Sequence, residues 1–408
     1  MTGTATTRTP APLRTRWLVL AGIVLLSVNL RPAAVSVGPV LEEVRAALEM
    51  GGAAAGLLTS LPVLAFAGFG ALAPGLAARV GVHRVTLLSL LAVVGGLLAR
   101  AAAGSGPTFL LWSAVALAGM ATANVLLPSL VKLHFPDRTG LLTSVYTTAL
   151  ALGLTAALTL TAPLESVVGW RPALATWAGL AAVAALPWVA LATHDRRLDR
   201  RARAVSVRSV LRTRLGAAMA LFFGLQSMQA YAVFGWFATL WRDAGSSAEA
   251  AGALVGLVAG VSIPLSALVP SLAARRESQV GIHLALMACY PVGYLGLVLG
   301  PTELAWVWAV FVGTGLCSFP LALTLVNLRS RTPEGTAALS GSTQAAGYLL
   351  AAAGPFAVGV VHDATGGWTV PVLLLLVLTL PQALVGIYCA RPGAVEDQLA
   401  DRTRGRRG

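Results

Sequence analysis

Runs of about 20 apolar residues, separated by short polar stretches, recur along the whole of this chain, and no other feature restricts its fold as strongly. A helix rises 1.5 Å per residue, so a run of that length crosses the ~30 Å of hydrocarbon in a bilayer. Backbone amides meet no water there, and a helix satisfies them internally. Charged residues make up 11% of the 408 residues and hydrophobic ones 57%, against about 25% charged in a soluble domain. No single water-facing core absorbs that much apolar surface.

The runs predict an all-α membrane protein with transmembrane helices at 17–40, 53–77, 85–103, 109–130, 140–163 and 170–193, then at 215–241, 250–269, 280–300, 304–325, 335–361 and 369–390. The polar, arginine-bearing first 16 residues precede an apolar stretch longer than a signal-peptide core and without a convincing cleavage site, so that stretch is expected to stay as helix 1. Twelve crossings put both ends on one side. That side holds 24 Lys/Arg against 8 Asp/Glu, while the opposite loops hold 4 against 8. Cytoplasmic loops carry the positive excess, so both termini are expected in the cytoplasm. The net charge of +13 is thus a matter of membrane topology, not of a nucleic-acid surface.

An internal repeat divides the chain. Pro74-Gly75-Leu76-Ala77-Ala78-Arg79 returns as Pro270-Ser271-Leu272-Ala273-Ala274-Arg275, and Gly169-Trp170 returns as Gly367-Trp368. Two repeats at nearly one offset imply two six-helix halves of like topology. The expected organisation is a tail at 1–16, a bundle at 17–193, a basic cytoplasmic linker at 194–214, a second bundle at 215–390 and a tail at 391–408. The linker carries eight arginines and suits an anionic lipid surface.

With those residues in view, the chain resembles the major facilitator superfamily. Its loop after helix 2 keeps Leu76, Ala77, Arg79, Gly81 and Arg84 of that superfamily's signature and departs from it at Pro74 and Ala78. The resemblance implies a conformational-gating role for Arg79, Gly81 and Arg84, and the repeat extends that role to Arg275. Closer still is the resemblance to the cyanate permease and 2-nitroimidazole transporter family. It is carried by Asn29-Leu30-Arg31-Pro32 and Ser36-Val37-Gly38-Pro39 in helix 1, and by Asn124-Val125-Leu126-Leu127-Pro128 in helix 4. Phe223-Gly224-Leu225-Gln226-Ser227 in helix 7 adds to it, as do Gln344-Ala345-Ala346-Gly347-Tyr348 and Gly354-Pro355 in helix 11. What this implies is transport of cyanate-like or nitro-heteroaromatic solutes.

The residues themselves single out Arg31, about 14 residues into helix 1, as the one charge that is not at a loop or helix end. Burying an arginine at that depth costs roughly 2.5–3.5 kcal/mol on insertion scales, so it is a functional candidate by default. No Asp or Glu lies at like depth, and a bound anion is the expected counter-charge; a planar guanidinium suits a carboxylate or other planar oxyanion. Pro32 removes a backbone donor and is expected to loosen the turn beside Arg31. The repeat offset pairs Arg31 with Gln229 and Tyr146 with Gln344, which predicts a cavity between the halves lined by these four. Asn29, Asn124, Gln226 and Tyr348 complete the candidate binding residues. For Gln226, Gln229 and Gln344 interhelical hydrogen bonding is an equal alternative. Asn124 could instead satisfy the carbonyl that Pro128 frees.

Other classes find little support in the residues. No GxxxxGK[ST] loop for ATP occurs. His83, His134 and His194 are at loops, His362 is outside, and His283 lies one turn into helix 9 with no Asp or Glu beside it in sequence. Cys289, Cys317 and Cys389 are scattered singly, without zinc or disulfide spacing. The expectation is a secondary transporter without cofactor, metal or enzymatic activity, working in the lipid bilayer on a small, anionic substrate, with a proton or counter-anion as possible coupling partner. A multidrug or metabolite efflux pump of the same fold is the alternative, and a channel a more remote one.

Overall fold

The computed structural model describes residues 13–193 and 207–404, all helix, turn or loop with no strand among them. Among the described residues twelve helices are long and apolar enough to cross a membrane. They are α1 (Trp17–Ala47), α2 (Gly52–Gly70), α3 (Val82–Ala101), α4 (Gly106–His134), α5 (Leu141–Val168) and α6 (Trp170–Ala192), followed by α7 (Arg214–Asp243), α8 (Ala248–Ala274), α9 (Val280–Leu299), α10 (Thr302–Leu328), α11 (Ala338–Thr365) and α12 (Thr369–Ala390). Each matches one apolar run. A further helix, α13 (Val395–Arg404), occupies the stretch read above as a C-terminal tail. The Glu396 carboxylate on α13 accepts from the Arg331 and Thr332 amides at 2.9 and 3.1 Å, and Arg331 meets Asp397 through both guanidinium nitrogens. The expected linker is described only from residue 207, where Val207–Leu211 forms a short helix; residues 194–206, and 1–12 of the expected N-terminal tail, lie outside the described residues.

Helix 1 is interrupted where Pro32 predicts it. Regular helix ends at Asn29, resumes at Pro32–Val35, and passes through a 3₁₀ turn at Gly38–Val40 before Leu41–Ala47. Helix α2 has its own irregularity: a π-helical turn at Phe66–Gly70, a wider turn often found at functional sites.

Small residues let the helices approach closely, since apolar lipid offers no hydrophobic drive between them. At Gly153 of α5 a Cβ would run into the Val28 carbonyl of α1. The two sets of six helices meet in the same way. Gly38 of α1 lies against the Phe234 carbonyl of α7, and Gly235 of α7 lies against the Thr59 side chain of α2.

Polar bonds between the two sets are unevenly distributed. On the face away from the termini, the distal face, Arg242 pairs with Glu43 at 2.6 Å and Glu42 at 3.4 Å, and Arg45 pairs with Asp363 at 3.6 Å. Asp363 also accepts from the Gly52 amide at 2.7 Å, and Ser60 donates to the Ala352 carbonyl. Two groups of polar bonds on the face bearing the termini each stay within one set. Arg84 donates to the Ala192 carbonyl, and Arg329 donates to the carbonyls of Cys389 and Ala390 and to the Gln279 side chain.

Candidate functional site

Arg31 sits in the gap between the two helical stretches of α1, half-buried. The break frees its side chain from a continuous helical stripe and turns it toward the second six-helix set. Its Nη1 donates to the Tyr231 hydroxyl of α7 at 3.5 Å, a long contact. Its guanidinium carbon lies 6.0 Å from the centre of the Phe66 ring. No carboxylate pairs with it among the described residues, in keeping with the missing counter-charge in the sequence.

Aromatic rings extend the site. The π turn carries Phe66 onto Tyr348 of α11, stacked at 4.9 Å with 19° between the planes. Phe223 of α7 meets Tyr348 edge-on at 5.0 Å and Phe319 of α10 at 5.6 Å. The centre of the molecule thus sets an uncompensated guanidinium beside the buried, mutually stacked rings of Phe66 and Tyr348. The cation attracts negative charge, and its planar donors suit a planar acceptor.

Of the residues read as candidates, Arg31 and Tyr348 come together through Phe66. Gln226 and Gln229 do not join them, since both are fully buried and bonded within the second set. Gln226 donates to the Leu316 carbonyl of α10 at 2.6 Å. Gln229 donates to the Leu375 carbonyl of α12 at 2.8 Å and accepts from the Tyr294 hydroxyl of α9 at 2.6 Å. This is the interhelical bonding weighed above. Tyr231 stands two residues beyond Gln229, about 200° round the helix, and it is the residue that faces Arg31. Gln344 is half-buried and donates to Ser340 on its own helix. Tyr146 is half-buried against the core. Asn124 is half-buried, and no bond joins it to the carbonyl freed by Pro128; its neighbour Val125 packs on Gly70 of the π turn. Asn29 is 1% exposed with both amide atoms unpartnered.

Among the gating candidates Arg79 and Arg275 are exposed on the termini face, and Gly81 takes a positive φ of 108° between Val80 and Val82, which suits glycine. His83 and His134 are corrected from loop to helix residues: they lie at facing ends of α3 and α4 with their Nε2 atoms 2.8 Å apart.

A second arginine, at a helix end and so outside the reading of Arg31, is also buried in the protein. Arg100, in the last turn of α3, is 1% exposed. Its Nη atoms donate to the Ala33 carbonyl and the Ser36 hydroxyl, both at 3.3 Å, and its guanidinium lies 5.7 Å from the Phe109 ring centre. A charge one residue from a helix end reads as interfacial; here the broken part of α1 folds over it.

The profile of the Major Facilitator Superfamily matches residues 18–355. This chain belongs to that superfamily. It is 39% identical over 94% of its length to the uncharacterized transporter YycB of Bacillus subtilis, of which it covers 94%. It is 33% identical over 93% of its length to the 2-nitroimidazole transporter of Escherichia coli, of which it covers 96%. The crystal structure of the nucleoside transporter NupG shares the fold, with a TM-score of 0.77 at 13% identity, over 91% of this chain and 99% of that one. The chain is therefore a multi-pass membrane protein and a secondary transporter of the cyanate permease and 2-nitroimidazole transporter type.

Proposed function

We propose that this transporter moves a small anionic or polar planar solute, of the cyanate or nitro-heteroaromatic kind, across a bacterial cytoplasmic membrane by alternating access, with Arg31 as its anchor. The observation that carries this reading is the Arg31 guanidinium itself, central, half-buried, and without a carboxylate partner among the described residues. Desolvating a charge is costly unless an opposite charge or hydrogen bonds compensate it; a bound anion supplies both, and a neutral nitro group supplies the acceptors. A cationic drug would meet repulsion at the same place, which weighs against the multidrug reading. Phe66 and Tyr348 offer the stacking faces, and Tyr231, Tyr146, Asn124 and Gln344 offer polar groups around them.

The positive excess on the termini face supports a cytoplasmic orientation for that face. In that orientation the polar bonds between the six-helix bundles 17–193 and 215–390 lie on the outer side, which supports a state closed toward the outside. Arg79, Gly81, Arg84 and Arg275 are the candidates for the inner gate in the opposite state.

An inside-negative potential opposes entry of an anion by about 2.3 kcal/mol per charge per 100 mV. No carboxylate stands beside Arg31 among the described residues to carry a proton in compensation. The substrate itself then carries the charge balance, moving with a bound proton, in exchange for an internal anion, or outward. Titration calorimetry of the purified protein with cyanate and with 2-nitroimidazole tests the anchor. Saturable binding is expected in the native protein and hardly any in Arg31→Gln; binding of equal strength in a folded Arg31→Gln sinks the proposal.

A further inference from the structure

Arg100 lies outside the site just described, and its surroundings are unusual for a buried cation. It lines a cavity of about 20 Å³ together with Ser113, Thr59, Tyr231 and the backbone of α1 from Ala33 to Gly38. That volume admits one particle of roughly water size. The two acceptors of Arg100, a carbonyl and a hydroxyl, are both neutral and both at the long distance of 3.3 Å. Its Nε has no partner at all, and neither has the fully buried hydroxyl of Ser113. Thr59 commits its proton to the carbonyls of Ala55 and Gly56, and the Tyr231 oxygen already accepts from Arg31, which leaves its own proton uncommitted. The cavity therefore offers spare donors and one full positive charge, with no acidic side chain among its lining residues.

A buried ion left unpaired is among the costlier arrangements in a protein. Water would fill the volume but leave the charge. A monatomic anion fills the volume, neutralises the charge and is lined by three residues that hold uncommitted donors, Arg100, Ser113 and Tyr231. Polyatomic anions such as cyanate exceed the space. We propose that Arg100 and Ser113 form a second anion site, distinct from the Arg31 site, that holds a single halide ion.

The walls of this site come from both bundles. Tyr231, Phe234 and Gly235 of α7 close it against α1 and α2, and the tight approaches of Gly38 to Phe234 and of Gly235 to Thr59 seal the seam. Separation of the bundles on the distal face removes that wall and exposes the ion. The halide thus binds the distally closed state in preference to the open one, and by linkage it favours that state.

The test is thermal unfolding of the purified full chain in rising sodium chloride, with sodium gluconate keeping ionic strength constant. A saturable rise of unfolding temperature is expected with chloride and with bromide, and crystals grown in bromide are expected to show an anomalous peak beside Arg100 and Ser113. The rise should persist in Arg31→Gln, vanish in Arg100→Gln, and need several-fold more chloride in Ser113→Ala. Equal unfolding curves in chloride and gluconate overturn the proposal, as does a chloride effect lost in Arg31→Gln. Should Arg100→Gln fail to fold, the chloride dependence of the native protein, the Ser113→Ala shift and the bromide peak decide the matter.

Discussion

Arg242 of α7 reaches across the boundary between the two halves of the transporter and meets Glu43 of α1 at 2.6 Å. The same guanidinium touches Glu42, and a second pair, Arg45 with Asp363, runs in the opposite sense of charge. Each bundle thus contributes both a base and an acid to the distal closure. Partly exposed pairs of this kind contribute roughly 0.2–1 kcal/mol each. Arg242→Ala removes two such pairs, roughly 0.4–2 kcal/mol together, and is therefore expected to raise the distally open population by about two- to thirtyfold. Spin labels at Glu49 and Glu249 would show this as a growing long-distance component, and an unchanged distance distribution would count against the latch.

The aromatic faces beside Arg31 make a different demand on different substrates. Ring stacking contributes about 0.5–1.5 kcal/mol beyond the area buried, and cyanate has no ring to stack. Phe66→Leu is expected to weaken 2-nitroimidazole binding by roughly two- to tenfold while changing cyanate binding little. Parallel titrations with the two ligands check this; equal losses for both would remove Phe66 from the recognition of rings.

Arg31→Lys separates charge from shape. Lysine keeps the positive charge but has no planar pair of donors, so cyanate affinity is expected to fall at least about tenfold, short of the near-complete loss in Arg31→Gln. Affinity in Arg31→Lys that matches the native protein would mean that charge alone suffices.

Gln229→Leu provides the contrast. It would leave the Leu375 carbonyl and the Tyr294 hydroxyl without their partner, and interhelical hydrogen bonds in membranes contribute about 0.6 kcal/mol on average and 1.7 at most. A lower unfolding temperature with ligand affinity retained is the expected pair of results. Lost affinity at undiminished stability would return Gln229 to the binding site.

On the termini face, Glu396 ties α13 to the start of the helix that leads into α11. Partial burial works against its charge, but its own backbone amide, the amides of Arg331 and Thr332 and the Thr332 hydroxyl outweigh that and hold the carboxyl below its usual 4.5. A depressed folded value stabilises the docked helix above about pH 4.5, and this contribution is lost as the pH falls through the lower folded value. Limited proteolysis of the C-terminal segment should accelerate over that acid range in the native protein. Glu396→Gln should cleave readily already at neutral pH and show no such acceleration.

The helices were legible because lipid imposes one length and one polarity on each of them, and the interruption of α1 was legible because Pro32 lacks a donor. The facing of α7 was not. It is buried on nearly every side, so neither its amides nor Tyr231 stand out by periodicity, and only the neighbours on α9, α10 and α12 show that Gln226 and Gln229 look inward to their own bundle. Phe66 was hidden for another reason: a π turn changes the register that a helical wheel assumes, and the glycines at Gly68 and Gly70 were the one visible sign. Arg100 escaped notice since depth was judged by distance along α3, whereas its burial comes from a bend in α1.

At the seam of the two bundles Gly38 sets its backbone against the Phe234 carbonyl and Gly235 sets its backbone against the Thr59 side chain, and neither glycine sends a side chain into the other bundle. Interdigitated side chains must change rotamer before helices can part, and each such change adds to the barrier. At these two points the seam has no teeth to disengage, so the packing there adds little to the barrier against parting the helices. Alanine at Gly38 would act there as a wedge, holding the seam ajar against the Phe234 carbonyl.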